Sequence, residues 1–148
     1  MMFTTKQIVF REVPEEISLS FLISGCRKRC PGCHSSHSWP ASSGQLLSQS
    51  LLDKEIEQYK NFITCVLFLG GDWEAQTLVP LLMHVQNRGL KTALYSGEDH
   101  VPSQISAHLN YLKLGAYIQK LGGLNNPETN QRIFNLDTGK CLNSYFQT

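Results

Sequence analysis

Long hydrophobic runs are missing from this 148-residue sequence. No stretch approaches the ~18 apolar residues that a membrane span needs, and the N-terminus has no apolar core of a secretory leader. Both absences lead us to expect a cytoplasmic protein with no membrane partner. A charge excess is also missing, since 13 Lys and Arg face 12 Asp and Glu. Nothing in that balance favours nucleic acid or an anionic surface. Repeats, low-complexity tracts and linkers are absent, and the length suits one domain over residues 1–148, burying roughly two-thirds of its unfolded surface. Cysteine is scarce and odd in number, at five, which suits a reducing compartment better than a disulfide framework.

Three of those five stand within eight residues: Cys26-Arg27-Lys28-Arg29-Cys30-Pro31-Gly32-Cys33. Three thiolates on one short loop can hold three irons of a [4Fe–4S] cube. A closed electron-transfer cluster takes four cysteines, so with three the fourth iron is open to a cofactor. Two other chemistries fit the same residues. Cys26, Cys30 and Cys33 with His37 make a Cys₃His zinc set, although zinc ligands usually come in two knuckles separated by ~12 or more residues. Cys30 and Cys33 alone make a redox dithiol, but residues 34–44, rich in Ser, Pro and Gly, read as loop rather than the helix such a motif opens. Cys65 reads as a buried strand residue and Cys141 as an incidental thiol.

Apolar and amphipathic segments alternate along the chain. Extended pieces are expected over residues 7–12 and 19–24, the second leading into the cysteine loop. Leu47/Leu51 and Leu52/Ile56/Tyr59 fall at helical spacing within residues 45–59. Residues 65–69 form a continuous apolar run of strand length, ending at Gly70-Gly71. Leu78, Leu81, Leu82 and Val85 make a helical stripe with Gly89 as its C′ stop and Pro80 in its first turn. Strands follow over 91–96 and 111–118, a short helix over 101–110, and a last strand over 131–136. Strand–helix alternation with unbroken apolar strands predicts an α/β fold with a parallel sheet. A closed eight-unit barrel needs ~250 residues, so this chain supplies four or five units of an open, partial (β/α) barrel.

In such folds chemistry gathers beyond the carboxyl ends of the strands. The cysteine loop, Gly70-Gly71-Asp72 and Ser96-Gly97 all follow expected strands, so three loops meet on one rim. Gly70 and Gly71 let backbone approach a ligand, and Asp72 offers an acceptor for an ammonium group. Alone, Gly-Gly-Asp is also an ordinary strand-to-helix turn with Asp72 as cap.

The C-x3-C-x2-C spacing resembles that of radical-SAM enzymes. Ser24-Gly25-Cys26 through Cys33, with Trp39, Gly44, Phe68-Leu69-Gly70-Gly71-Asp72, Leu94-Tyr95-Ser96-Gly97 and Thr129-Asn130-Gln131-Arg132, resembles the activating proteins of anaerobic (class III) ribonucleotide reductase. The chain departs from that pattern at His34, at Ser35, at Trp73 and at Lys113-Leu114-Gly115. The resemblance implies a radical-SAM barrel and Cys26, Cys30 and Cys33 as ligands of a [4Fe–4S] cluster. It places Gly32, Cys33 and His34 beside S-adenosylmethionine (SAM), Gly70, Gly71 and Asp72 on its methionyl ammonium, and Ser96 on the same rim. It further implies reductive cleavage of SAM and formation of a glycyl radical on the large subunit of the reductase. Flavodoxin or ferredoxin would be the one-electron donor. By their charge alone, Arg27, Lys28 and Arg29 would ease cluster reduction or form a solvated surface loop. An activase of another glycyl-radical enzyme and a non-catalytic zinc module remain the alternatives.

Overall fold

The computed structural model describes residues 1–33 and 36–147. In chain order the strands are β1 (Met2–Val9), β2 (Ser18–Ile23), β3 (Gln45–Leu46), β4 (Cys65–Leu69), β5 (Lys91–Tyr95), β6 (Tyr111–Leu114), β7 (Arg132–Asn135) and β8 (Lys140–Cys141). The α-helices are α1 (Gln49–Tyr59), α2 (Ala75–Asn87) and α3 (Ser103–Ser106). All eight strands join one open sheet in the order β3-β1-β2-β4-β5-β6-β7-β8. The expected parallel sheet is its middle only: β2, β4, β5 and β6 run parallel, and the four outer strands pair antiparallel. The fold is therefore mixed α/β, with very short strands at both edges, which limits the unpaired backbone offered to another chain.

Residue alternation assigns each face of the central strands its own core. Leu19, Phe21 and Ile23 of β2, with Val66 and Phe68 of β4, face the helices and pack with Leu52, Ile56, Leu78, Leu82 and Val85. Cys65, Leu67, Ala93 and Tyr111 face the other way, where Val13, Leu124, Ile133 and Leu142 cover them. Helices thus cover one face, while loops and the C-terminal segment cover the lower part of the other.

The helices have local causes. Ser48 caps α1 by accepting the Leu51 N–H, the usual work of an N-cap hydroxyl. The helix therefore begins at Gln49, and Gln45–Leu46 pairs with β1 as a strand instead. At the end of α2, Gly89 donates to the Gln86 carbonyl and Leu90 to the Val85 carbonyl. That is the paired closure of a Schellman stop, with Gly89 left-handed at φ 77°. Pro80 lies in the interior of α2 rather than its first turn. Its ring is exposed, so the carbonyl it leaves unpaired faces solvent. Residues 101–110 yield only the single turn of α3, and 111–118 stop at Leu114, before Gly115 at φ 109°. The first strand starts at Met2, and Phe10 to Glu12 bend away from the sheet.

Register puts the carboxyl ends of the four parallel strands level. Leu22 pairs with Leu69, Leu69 with Tyr95, and Tyr95 with Lys113. These four form one row across the loop-covered face. Within two residues beyond each strand stands a glycine: Gly25, Gly70, Gly97 and Gly115.

Candidate functional site

That row is the floor of a cavity of about 220 Å³. Cys26, Cys30 and Cys33 line it, together with Gly70, Ser96 and Lys113. Both tryptophans of the chain, Trp39 and Trp73, stand in its wall. The cysteine loop is tied down at its root: Gly25 donates to the Ser38 carbonyl at 2.8 Å and the Ser24 hydroxyl to the Ser43 carbonyl at 2.7 Å. The Cys33 N–H donates to the Cys30 carbonyl at 3.0 Å, so Cys30 to Cys33 is a tight turn. None of the three cysteines is in a disulfide, and each is partly buried.

Gly70 shows why glycine is needed on this rim. Its φ is 94°, and a Cβ there would lie 2.6 Å from Cη2 of Trp73. Gly71 packs instead beneath Met1 and Ile23. Gly32 lies against the side chain of Gln119, away from the cavity lining. His34 falls outside the described residues.

Asp72 borders an adjoining recess of about 340 Å³ with Cys26, Lys28, Trp73 and Gly97. The Ser96 hydroxyl donates to Asp72 Oδ2 at 2.9 Å and accepts the Glu98 N–H at 3.0 Å. Ser96 therefore links the recess to the main cavity. Burial raises the pKa of Asp72, the Ser96 hydrogen bond opposes the shift, and Glu98 adds to it. Asp72 Oδ1 is buried and has no hydrogen-bond partner among the described residues. Asp72 caps no helix through its side chain, because Gly71 and Glu74 hold the cap positions on either side of it. The ordinary-turn explanation therefore leaves its carboxylate unexplained.

Lys113 was not among the residues expected at the site. Its ammonium sits 4.5 Å from the centre of the Tyr95 ring. Burial lowers its pKa to about 8, and the neighbouring Cys30 and Cys33 pull the other way. A cation inside an otherwise apolar strand was the sequence signal, but only register with Tyr95 reveals that it faces the cavity. Of the cations flanking Cys30, Lys28 pairs with Glu98 at 3.1 Å, which raises its pKa, and Arg29 lies 5.8 Å from the Trp39 ring. Arg27, Lys28 and Arg29 are all exposed.

The residues fit an iron–sulfur cluster better than either alternative chemistry. Three soft thiol ligands on one loop face one cavity, the donor set that such clusters take. The buried Asp72 Oδ1 and the Lys113 ammonium border neighbouring spaces beyond the strand ends, the recess and the main cavity. His37 is exposed in a 3₁₀ turn, Ser36–Ser38. Among the described residues no three His, Cys, Asp or Glu side chains close around a single metal ion, as zinc would need. A cube instead takes one thiolate per iron. Among the described residues no α-helix lies between Cys33 and Gln49, whereas a thioredoxin-like dithiol opens one. Among the described residues, no helix is long and apolar enough to cross a membrane.

No curated protein sequence matches the chain significantly. The family model of the 4Fe-4S single cluster domain matches residues 15–116, more than two-thirds of the chain. Its span runs from just before β2 to just beyond β6, enclosing the cysteine loop and all four parallel strand ends. The chain belongs to the 4Fe-4S single cluster domain family.

Proposed function

We propose that this protein is a radical-SAM activase, with Cys26, Cys30 and Cys33 as the cluster ligands and a glycyl-radical enzyme as its substrate. The open sheet is then the partial (β/α) barrel of that class, and the substrate is the large subunit of class III ribonucleotide reductase. One observation carries the proposal: the three cysteines share a single cavity with the ends of all four parallel strands.

A bound cluster, reduced by a donor such as flavodoxin or ferredoxin, would supply the electron for cleaving SAM to methionine and a 5′-deoxyadenosyl radical, the species that would take a hydrogen from glycine. The chain's own residues bind, orient and shield. Asp72 Oδ1, its carboxylate held by the Ser96 hydroxyl, would receive the methionyl ammonium, and Lys113 would receive the carboxylate. Gly70, on the cavity wall, would let the β4 backbone approach the cofactor, while Gly71 packs beneath Met1 and Ile23. Leu22, Leu69 and Tyr95 make a largely apolar floor that keeps water from a reactive species. No side chain is needed as acid or base.

The test is to reconstitute the protein with iron and sulfide without oxygen, reduce it, and add SAM and the class III reductase of the same cell. A brown protein, 5′-deoxyadenosine and a glycyl doublet in electron paramagnetic resonance are expected. A doublet on another glycyl-radical enzyme alone would move the partner and keep the chemistry. A colourless protein that retains zinc and cleaves no SAM would overturn the proposal.

A further inference from the structure

The Asn130-Gln131 pair has no part in the scheme above, yet it is built into the site. Gln131 is buried, with 4% of its surface exposed. Its N–H donates to Thr129 Oγ1 at 3.1 Å, and its carbonyl accepts from Asn143 Nδ2 at 2.8 Å. Its side-chain Nε2 donates to the Gly115 carbonyl at 3.2 Å. Asn130 Nδ2 donates to the Ala116 carbonyl at 3.0 Å. The pair thus clamps the turn that follows Lys113. Because a carbonyl needs a donor, the Gln131 amide can face Gly115 only through its nitrogen. Its Oε1 then turns away, and no hydrogen bond reaches it among the described residues.

Oε1 does not turn toward solid core. Gln131 lines the cysteine cavity and also a second, wider chamber of about 550 Å³. Cys33, Tyr95, Lys113 and Tyr117 border both spaces, so Gln131 stands at the neck between them. The outer chamber is walled by Gly123, Leu124, Asn125 and Phe146. Oε1 lies 3.9 Å from where a Cβ on Gly123 would be. Apart from Lys113 at the neck, no described residue lining this chamber carries a charged side chain, so beyond the neck it suits neutral polypeptide. At the neck Lys113 offers only N–H donors, and the Tyr95 hydroxyl is committed to the Glu12 carbonyl. An immobilised acceptor there calls for an N–H donor.

We propose that Gln131 Oε1 accepts a backbone N–H of the partner's glycine-bearing segment as it passes from the outer chamber to the cofactor cavity. This rests on the function proposed above and gives its protein substrate a contact at the neck. The hydrogen bond fixes which face of the glycine is presented, leaving SAM binding to Asp72 and Lys113.

The experiment uses a fluorescein-labelled peptide of about a dozen residues, centred on the radical glycine of the same cell's class III reductase. Its binding to the reconstituted protein is read by fluorescence polarisation, and SAM affinity is measured in parallel. Gln131→Met keeps length but removes both the acceptor and the Nε2 bond to Gly115. It should weaken the peptide about five- to tenfold, as expected for one neutral hydrogen bond. SAM should stay within about twofold, because Asn130 still holds the Ala116 carbonyl. Gly123→Val, at a glycine whose φ lies outside the left-handed region, crowds Oε1 without touching the hydrogen bonds of Gln131. It should act in the same direction even if the first variant folds poorly. With intact reductase, both variants should raise the ratio of 5′-deoxyadenosine to glycyl radical. Equal peptide affinity in wild type and both variants overturns the role of Gln131 alone, as does a parallel loss of SAM affinity. A wild-type protein that cleaves SAM but binds no such peptide overturns the choice of partner and this inference with it.

Discussion

Gly70→Ala is expected to expose how closely the β4 loop and Trp73 are fitted. Two separate costs meet at this position. The first is conformational: φ is 94°, and holding a residue with a Cβ in such a sparsely populated region costs about 1–3 kcal/mol. The second is steric, because the new Cβ would stand 2.6 Å from Trp73 Cη2 and 3.1 Å from Cζ3. The indole must move, and overpacking of this kind costs about 1–3 kcal/mol. A stiffer unfolded chain returns about 0.4–1 kcal/mol, so the net loss is about 1–5 kcal/mol. The two costs separate in a double-mutant cycle. With Trp73→Ala as background, Gly70→Ala should retain the conformational cost and lose most of the steric one, giving a coupling of about 1–3 kcal/mol. Urea unfolding of the apoprotein followed by far-ultraviolet circular dichroism measures all four corners without relying on tryptophan fluorescence. Strict additivity, or a single variant within 0.5 kcal/mol of wild type, would refute the reasoning.

Three further outcomes are expected. Replacing Cys26, Cys30 or Cys33 singly by Ala should remove most of the iron and all SAM cleavage, while Cys65→Ala and Cys141→Ala keep the cluster absorbance; loss of the cluster in Cys141→Ala would show a fourth protein ligand. Asp72→Ala should leave the cluster spectrum intact and weaken SAM by ~1.5–3 kcal/mol, about one to two decades, as for a lost charge-assisted hydrogen bond; unchanged affinity by anaerobic titration would remove Asp72 from the site. In native apoprotein, burial pushes the Cys65 thiol up to about 12, whereas Cys141 is exposed, and thiolate is the reactive form. A maleimide at pH 7 should therefore modify Cys141 quickly and Cys65 only after unfolding, as read by peptide mass spectrometry.

What could be read in advance follows from how local the causes are. Residues 65–69 are unbroken apolar sequence between Thr64 and Gly70, and β4 occupies exactly that span. Gly89 ends α2 through bonds made within one turn. Strand direction is a different matter, because the β1–β2 and β6–β7 connections, residues 10–17 and 115–131, are long and carry no tight-hairpin signal to announce the reversal. The 101–110 segment loses its helix to such a partner: Asn110 Oδ1 accepts the Thr92 N–H at 2.9 Å, and the His108 carbonyl accepts from the Thr92 hydroxyl. At the site, the cysteines and Gly70, Asp72 and Ser96 were legible because spacing and strand ends mark them. Lys113 and Trp73 were visible as residues but not as cavity wall, since their placement depends on register and on packing across the rim. Asn130-Gln131 could be noticed but not interpreted, because its work is to hold a turn 14 to 16 residues away.

The glycines that follow the four parallel strands divide this surface into regions of unequal tolerance. On the cofactor side the wall is shaped in part by main chain, and a side chain added at Gly70 meets neighbouring atoms. Across the neck, Gly123 and Asn125 sit in a loop whose side chains can change without disturbing the central ladder. A saturating library scored for folding should accordingly show a border between β6 and β7, with intolerance at Gly70 on one flank and latitude at Gly123 and Asn125 on the other. Under the proposed function, such a layout would let a lineage change its protein client while the cofactor chemistry stays fixed.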